Sequence, residues 1–338
     1  MTSPLVPNAD KDALVAAIRK FLPPLSQSLH KGQSGRIAVV GGSEEYTGAP
    51  FFAGYSALRL GADLCHVFCE ESAATIIKSY SPELIVHSYL HTSDHIPTDS
   101  YEPTIEKIVS QVTQVFPRLH VILVGPGLSR DDSMMDCAKR IIKAAREHEK
   151  PLVIDADGLY AIQTDPSIIK DYPLAVLTPN ANEFRRLCDI MNVTDDTDTY
   201  QKARALSQAF GNVTIVQKGE VDIISNGYDV ITCDAQGAPR RCGGQGDLLS
   251  GTLAAFLAFG NGYATDNWRH GNDFSSNTSF LSKQLPLLAA YGACLMVRGC
   301  AKEAYKKMGR AMMTTDMIEE IGNVFADEFE DGEITGKR

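Results

Sequence analysis

The residues best suited to chemistry lie in one glycine-rich stretch, residues 240–251, which reads RRCGGQGDLLSG. Gly243, Gly244 and Gly246 let successive backbone N–H groups turn toward one point. The apolar run from Leu248 to Phe259 predicts a buried helix directly after them. The N–H groups would then lie at the N-terminus of a helix, which is an arrangement that binds anions.

Asp247 stands immediately after these glycines. A carboxylate would repel a phosphate that the loop merely held, but it suits a base that deprotonates a hydroxyl attacking that phosphate. The stretch therefore indicates phosphoryl transfer with Asp247 as the general base, and the helix dipole is expected to keep this side chain ionised near neutral pH. The alternative is a glycine-rich turn in which Asp247 is only a helix-start carboxylate.

Most apolar runs along the chain end on a polar turn that carries Gly, Asp or Asn, as strands of an open parallel sheet do at their carboxyl edge. This predicts an α/β fold, a doubly wound and mostly parallel sheet flanked by helices, with the functional residues at that edge. Predicted strands cover 35–40, 64–69, 121–124, 152–154, 174–177 and 213–217, with a hairpin of 221–225 and 230–233 at the far side. Predicted helices cover 13–22, 46–61, 133–147, 248–259, 285–307 and 314–324.

The 338 residues, 44% of them hydrophobic, can bury a large core, and we expect a single domain over 1–338. Residues 1–30 would form a helical extension, 261–283 a polar surface insert, and 327–338 an acidic, disordered tail. A net charge of −10 without a basic block argues against nucleic acid and against acidic lipid. Since no apolar run is long enough to span a bilayer, we expect a cytoplasmic protein that acts on small molecules.

The eight cysteines are scattered without a C-x-x-C pair, which predicts reduced thiols rather than disulfides or a zinc site. Asp155 and Asp157 follow a predicted strand and could hold a metal through water, but Asp-Ala-Asp-Gly is also ordinary turn chemistry. No metal ligand is assigned from the sequence.

Six stretches, in chain order, carry a resemblance to a known family. They are Tyr-Thr-Gly-Ala-Pro at 46–50, Gly-Pro-Gly-Leu at 125–128, Asp-Ala-Asp at 155–157, Thr-Pro-Asn at 178–180 with Glu183, Lys218-Gly219, and Cys-Gly-Gly-Gln-Gly-Asp at 242–247. Together they resemble the ribokinase-like superfamily and, within it, the ATP-dependent (S)-NAD(P)H-hydrate dehydratases. The glycine–Asp loop is common to many small-molecule kinases. The sequences at 46–50 and 243–247 are what make the resemblance closest to the hydrate dehydratases.

The resemblance implies repair of NADH or NADPH that has added water across a ring double bond. Such enzymes phosphorylate the ring hydroxyl with ATP and Mg²⁺ and let phosphate eliminate, which regenerates NAD(P)H with ADP and phosphate. Asp247, with the N–H groups of Gly244 and Gly246, would carry the catalysis.

The resemblance also places two binding sets. The hydrated dinucleotide would contact Asp247 together with Gly127, Asn180, Ala181, Asn182, Glu183, Phe184, Arg185 and Arg186. ATP would contact Lys218, Gly219, Glu220, Val221 and Asp222, and Gly237, Ala238, Pro239, Arg240, Arg241, Cys242, Gly243, Gly244, Gln245 and Gly246. From residue types alone, Asn182 could instead cap a helix, and Arg185 and Arg186 could form a solvated face.

Three other functions remain open at this stage. A hydroxymethylpyrimidine or hydroxyethylthiazole kinase would share the loop and release a stable phosphomonoester. A dinucleotide-dependent oxidoreductase is suggested by Val39-Val40-Gly41-Gly42, although no G-x-G-x-x-G follows. A non-catalytic nucleotide-binding module would need no acid at Asp247.

The predicted helix at 46–61 carries Phe51, Phe52 and Tyr55, which look exposed. They indicate a surface that packs a homo-oligomer or completes a neighbouring subunit's site. The alternative is that the three rings face the sheet.

Overall fold

The computed structural model describes residues 10–27, 29–194, 198–265 and 283–330. Within them, one sheet of nine strands has the order β3-β2-β1-β4-β5-β6-β7-β8-β9. Strands β1 to β7 pair in parallel, and the last two pairings, β7 with β8 and β8 with β9, are antiparallel. The predicted α/β fold, with a hairpin at one edge of its sheet, is confirmed.

The strands are β1 (Arg36–Val40), β2 (Leu64–Glu70), β3 (Leu84–Leu90), β4 (Val121–Val124), β5 (Leu152–Ile154), β6 (Ala175–Leu177), β7 (Thr214–Gln217), β8 (Asp222–Ser225) and β9 (Val230–Cys233). The helices are α1 (Lys11–Arg19), α2 (Gly48–Leu60), α3 (Glu71–Tyr80), α4 (Tyr101–Thr113), α5 (Asp132–Glu147), α6 (Asp157–Thr164), α7 (Ala181–Ile190), α8 (Thr199–Ala209), α9 (Gln245–Ala264), α10 (Leu285–Met308), α11 (Thr314–Glu319) and α12 (Ile321–Phe329).

The side chains of alternate strand residues pack into two separate hydrophobic cores, one on each face of the sheet. Val39 and Leu123 point into the core shared with α1, α2, α3 and α9 to α12. Val40 and Val124 point into the core shared with α4 to α8. The central strands are buried on both faces, which explains why their sequences are continuously apolar rather than alternating.

Helix α9 belongs to the first core and is apolar around nearly its whole circumference. From Leu248 to Gly260 every residue is buried, and α9 packs between α2, α10 and the sheet. Small residues allow the close approach: a side chain at Gly251 would lie 2.1 Å from the backbone oxygen of Ala53 on α2. This packing fixes the start of α9, and with it Asp247, against the sheet.

Three predicted boundaries are wrong at chain ends. Helix α1 ends at Arg19 rather than Leu22, and it begins at Lys11 because the Asp10 carboxylate accepts a hydrogen bond from the N–H of Asp12. The single helix expected over 314–324 is two helices, α11 and α12. Helix α12 continues to Phe329, whose buried ring packs 5.4 Å from Phe256, so the acidic tail does not begin at 327.

The polar insert expected from residue 261 begins later than predicted, because residues 261–264 still belong to α9. The remainder of that prediction, residues 266–282, lies outside the described residues, as do 1–9 of the N-terminal extension and 331–338 of the tail.

The cysteines are free thiols, seven of them buried and Cys242 partly exposed, as predicted. Among the described residues, no helix has both the length and the apolar composition needed to cross a membrane.

Candidate active site

The glycine loop turns sharply into α9 at Gly244, which precedes the helix in a left-handed conformation with φ 93°. A side chain there would lie 2.8 Å from the Phe52 ring and 3.0 Å from Thr314 Oγ1. Only glycine fits both the conformation and the space. The first turn of α9 leaves backbone N–H groups without helical partners, which is the geometry that the predicted anion site requires.

Asp247 lies in the first turn of α9 but does not cap it, since the N-cap residue is Gly244. Burial raises the pKa of the Asp247 carboxyl to about 8, the Asp155 carboxylate adds to this, and Lys218 acts in the opposite direction. The expectation that the helix dipole keeps Asp247 ionised near neutral pH is therefore wrong, because burial and a like charge outweigh the dipole.

Lys218 and Asp155 form an ion pair beside the glycine loop. The Lys218 Nζ donates a hydrogen bond of 3.0 Å to Asp155 Oδ1, and the Asp155 side chain is 3% exposed. Asp155 follows β5 and Lys218 follows β7, so parallel strands bring them to one edge of the sheet. A side chain built on Gly246 would lie 3.6 Å from Nζ and 3.8 Å from the other Asp155 oxygen, which places the pair directly beside the loop.

Asn180 begins α7 with a reciprocal capping box. Its Oδ1 accepts hydrogen bonds from the N–H groups of Asn182 and Glu183, and Glu183 Oε2 accepts from the N–H of Asn180. The cap is therefore Asn180, not Asn182 as the alternative reading had it. The carboxyl of Glu183 is half-buried, and burial raises its pKa. The hydrogen bond from the N–H of Asn180 and the charge of Lys218 lower it.

The remaining residues of the predicted dinucleotide set lie around this cap. Ala181, Asn182, Arg185 and Arg186 are exposed, and Phe184 is buried in the core and unable to contact a ligand with its ring. An Arg185 amino group lies 3.4 Å from Asn182 Oδ1. The exposed side chains therefore stay free to approach a ligand from the solvent side.

Gly127 follows β4 and is buried with φ 62°. A side chain there would lie 2.6 Å from the backbone oxygen of Tyr46 and 3.2 Å from the Ala49 Cβ, just before and at the start of α2. The Gly127 carbonyl accepts a hydrogen bond from the N–H of Gly42, which joins the turns after β1 and β4. Gly127 thus belongs to the same edge of the sheet as Asp155 and Lys218.

A cavity of about 490 Å³ opens between the turn after β7 and the start of α9. Seven residues of the predicted sets line it, namely Asn180, Lys218, Gly219, Asp222, Arg241, Gln245 and Gly246. Four residues that sequence reasoning did not select, Leu249, Cys294, Val297 and Arg298, complete the wall. The last three belong to α10, and nothing in their spacing distinguishes them from the buried face of a helix.

The rest of the predicted ATP set surrounds this cavity less directly. Glu220 and Pro239 are exposed, Ala238 is buried, and the Arg240 Nε donates a hydrogen bond to the Met312 carbonyl. Cys242 contacts Thr314 through its sulfur at 3.4 Å. These contacts fasten the glycine loop to the residues before and at the start of α11. A larger groove, about 990 Å³, lies near α1 and α12 and includes no predicted site residue.

The three aromatic residues of α2 are half-buried rather than fully exposed. Phe52 contacts the glycine loop at Gly244. The Phe51 ring stacks on Tyr55, with centroids 5.2 Å apart, and lies near Tyr80. The exposed members of this surface are Tyr46 and Tyr80, at 57% and 45%.

The sheet order, the glycine loop and the acid in the first turn of α9 define a ribokinase-like fold. A crystal structure of a ribokinase-like superfamily protein from Enterococcus faecalis superimposes with a TM-score of 0.69 at 20% identity, over 95% of each chain. An ADP/ATP-dependent NAD(P)H-hydrate dehydratase from Bacillus subtilis, co-crystallised with ATP and Mg²⁺, gives 0.64 at 19% identity over 96% of this chain and 99% of that one.

Sequence similarity identifies the family within this fold. The family model described as NAD(P)H-hydrate dehydratase matches residues 37–323. The ATP-dependent (S)-NAD(P)H-hydrate dehydratase of Ciona intestinalis is 46% identical over 325 residues, which cover 95% of this chain and 82% of that one. The chain belongs to the NAD(P)H-hydrate dehydratase family and is an enzyme of the hydro-lyase class. These matches do not favour the kinase, oxidoreductase or non-catalytic alternatives.

Proposed function

We propose that this enzyme uses ATP and Mg²⁺ to dehydrate the S-epimer of hydrated NADH or NADPH, with Asp247 as the general base. The observation that carries the proposal is the position of Asp247, in the first turn of α9 beside the Lys218–Asp155 pair and the glycine loop. A carboxylate there can reach a hydroxyl in line with a phosphoryl group held by the loop's N–H groups.

In the first step, Asp247 takes the proton of the ring hydroxyl. The hydroxyl oxygen attacks the γ-phosphorus of ATP, and ADP leaves. The N–H groups of Gly244 and Gly246 stabilise the charge that builds on the transferred group. In the second step, the C–O bond of the phosphate ester breaks, and phosphate leaves with the bonding electron pair, assisted by the ring nitrogen. The neighbouring ring carbon then loses a proton to solvent. The double bond of NAD(P)H is restored. The oxygen of the added water leaves in the phosphate, and its two hydrogens leave as protons, one through Asp247 and one from the ring carbon.

The raised pKa of Asp247 supports this role. A base with a pKa near the working pH combines a useful ionised fraction with a strong affinity for the proton. Desolvation of the same carboxyl produces that pKa in the unliganded protein. A surface helix-cap aspartate would instead be well solvated and fully ionised.

The charges at the site also fit Mg²⁺. Asp155, Glu183 and Asp247 face one ammonium, Lys218, and the mutual repulsion of the carboxylates contributes to the raised pKa values of Glu183 and Asp247. A divalent ion would compensate the excess negative charge and that of ATP. Mg²⁺ usually keeps several waters and takes substrate phosphates with one or two carboxylates, so a dedicated cage is not required. Within the described residues no cluster of three or more His, Cys, Asp or Glu side chains forms such a cage.

The binding sets follow from this arrangement. ATP would occupy the cavity between Gly219 and the start of α9, and the hydrate would approach Asp247 from the side of Gly127 and Asn180. The cavity of about 490 Å³ has the size of a nucleotide-binding cleft. The two substrates would then meet at Asp247, as the transfer requires.

The decisive experiment is mass spectrometry of hydrated NADH incubated with enzyme, ATP and Mg²⁺. The proposal expects NADH, ADP and inorganic phosphate in equal amounts. A phosphorylated dinucleotide that accumulates without elimination would instead indicate a kinase with a stable product. No turnover of either epimer would refute the proposed substrate.

We further propose one domain, a cytoplasmic location and a homo-oligomer. The oligomer would pack through the predicted aromatic surface of Phe51, Phe52 and Tyr55, which Tyr80 extends. The stacked rings and the exposure of Tyr80 support this surface. Light scattering that finds a monomer at working concentration would contradict the oligomer. Cell fractionation that finds the protein in an organelle would contradict the location.

A further inference from the structure

Arg298, on α10, makes three hydrogen bonds to two segments that flank the cavity. Its Nε donates to Asp222 Oδ2 at 2.7 Å, and its two amino groups donate to the carbonyls of Ala235 and Gly219, each at 3.1 Å. These partners are 63 to 79 residues away in sequence. One side chain thus joins α10, the turn before β8 and the segment after β9.

The backbone of Gly219 is hydrogen-bonded at both its N–H and its carbonyl. Its N–H donates a hydrogen bond of 2.9 Å to Asp222 Oδ1, while its carbonyl accepts from Arg298. Asp222 therefore uses one oxygen for the Gly219 backbone and the other for the guanidinium. The conformation of the turn that follows Lys218 depends on both side chains.

Burying the Arg298–Asp222 ion pair costs hydration free energy, so a gain in stability alone does not explain it. The side chains of Arg298 and Asp222 are only 11% and 12% exposed. A buried ion pair loses hydration on both partners and is often no more stabilising than apolar residues of the same volume. Its value is better explained by the geometry that a planar guanidinium imposes on three acceptors at once.

We propose that Arg298 is a positioning residue for the phosphoryl donor, holding the turn at Gly219 and the segment at Ala235 at the separation that the nucleotide requires. This inference rests on the proposed ATP site. Arg298 lines the cavity together with Gly219, Asp222 and Gly246, yet it lies outside every segment that the sequence assigned to ATP. Of the proposed hydrate residues, Asn180 lines the same cavity, whereas Gly127 and Asn182 do not.

The test measures Mg·ATP binding by calorimetry and steady-state kinetics on Arg298→Met and Arg298→Lys. Arg298→Met keeps the apolar stem and removes every hydrogen bond, and it should weaken ATP binding at least tenfold. The KM for ATP should rise by the same factor while the KM for the hydrate changes less than twofold. Arg298→Lys keeps a charge for Asp222 but loses the planar fork, so ATP binding should fall several-fold.

Arg140→Met is the matched control. Arg140 is also an arginine bridging acidic groups, Asp136 and Glu102, but it lies on the other face of the sheet between α4 and α5. It should change stability slightly and leave both KM values unchanged. If Arg140→Met raised the KM for ATP as much as Arg298→Met, the effect would be a general loss of stability.

The outcomes separate this inference from the proposed function. Unchanged ATP binding in a folded Arg298→Met, or in Arg298→Lys should the former not fold, overturns the positioning role. Equal rises in both KM values also overturn it, because they indicate a general structural role. Wild-type enzyme that binds Mg·ATP but does not dehydrate the hydrate refutes the proposed function and leaves the ATP-binding comparison fully informative.

Discussion

The Lys218 ammonium lies 3.0 Å from the Asp155 carboxylate, and the two have opposite effects on the pKa of Asp247. Asp155 raises it and Lys218 lowers it, while burial of Asp247 itself makes the largest contribution. The net effect of the pair on the pKa of Asp247 is therefore the difference between two opposing interactions. Removing Lys218 should raise the pKa of Asp247, and removing the charge of Asp155 should lower it.

We expect the pH dependence of kcat/KM for the hydrate to shift in opposite directions in Lys218→Ala and Asp155→Asn. Activity should rise with pH as Asp247 ionises, with a wild-type midpoint near its pKa of about 8 in the free enzyme. Lys218→Ala removes the group that lowers this pKa and should move the midpoint to higher pH. Asp155→Asn should move it to lower pH, and shifts in the same direction would contradict the account.

Lys218→Ala should also weaken the site in two further ways. The Michaelis constant for ATP should rise more than turnover falls, because the ammonium would contact the nucleotide rather than the reacting hydroxyl. Stability should fall by about 3–5 kcal/mol in urea unfolding, the usual cost of leaving a buried carboxylate unpaired. An unchanged KM for ATP would remove Lys218 from the nucleotide site.

Asp247→Asn should lower turnover by about 10² to 10⁴, the usual contribution of a positioned general base. Asparagine preserves the shape and hydrogen bonding of the side chain but cannot accept the proton. ATP binding should hold near neutral pH, where the Asp247 carboxyl is largely protonated, and should tighten above about pH 8, where the wild-type carboxylate repels the phosphates. Near-normal turnover would refute the catalytic role, and loss of ATP binding would indicate a structural residue.

The same variant should be more stable than the wild type at high pH. The folded pKa of about 8 lies above the ordinary value of 3.8, so below pH 3.8 the carboxyl is protonated in both states and costs nothing. As pH rises from about 4 to 8, the unfolded chain releases this proton and the folded chain retains it, so wild-type stability declines. The advantage of Asp247→Asn in melting temperature should therefore grow across that window and level off above it.

The sequence predicted the place of a candidate residue in the fold where that residue belongs to a motif or follows a strand. Lys218 and Asn180 could be located because parallel strands carry their polar turns to one edge, a rule that depends only on the order of apolar runs. Asp247 could be located because it stands between a glycine loop and an apolar run. Arg298 could not be predicted in this way. It lies within a long helix, and its role arises from a contact with Asp222 across 76 residues that no local pattern records.

The fold shows the same division. The central strands were predicted nearly to the residue because they are short and wholly apolar between turn residues. The segment between β2 and β4 gave no clear pattern, since β3 is an edge strand with mixed burial. The pKa of Asp247 was mispredicted because the helix dipole is visible in the sequence, whereas the burial that outweighs it depends on how α9 packs.

A pair of neighbouring glycines provides a test of the loop geometry. Gly244 has φ 93°, and a side chain there would meet Phe52 at 2.8 Å, whereas a side chain on Gly243 would find no atom within 4 Å. Gly244→Ala should lower the free energy of unfolding by about 1–3 kcal/mol, the cost of forcing a non-glycine residue into this region. Gly243→Ala should lie within about 0.5 kcal/mol of the wild type, as exposed substitutions usually do.

Chemical unfolding of both alanine variants checks this difference, and their turnover adds the functional consequence. Because the turn at Gly244 aims the first N–H groups of α9, its distortion should also reduce turnover in Gly244→Ala beyond what the fraction of folded protein explains. A second substitution, Phe52→Leu, relieves the clash but not the backbone strain. Recovery of both stability and turnover in the double variant would show that the Phe52 contact, not the left-handed backbone, is what requires glycine at 244.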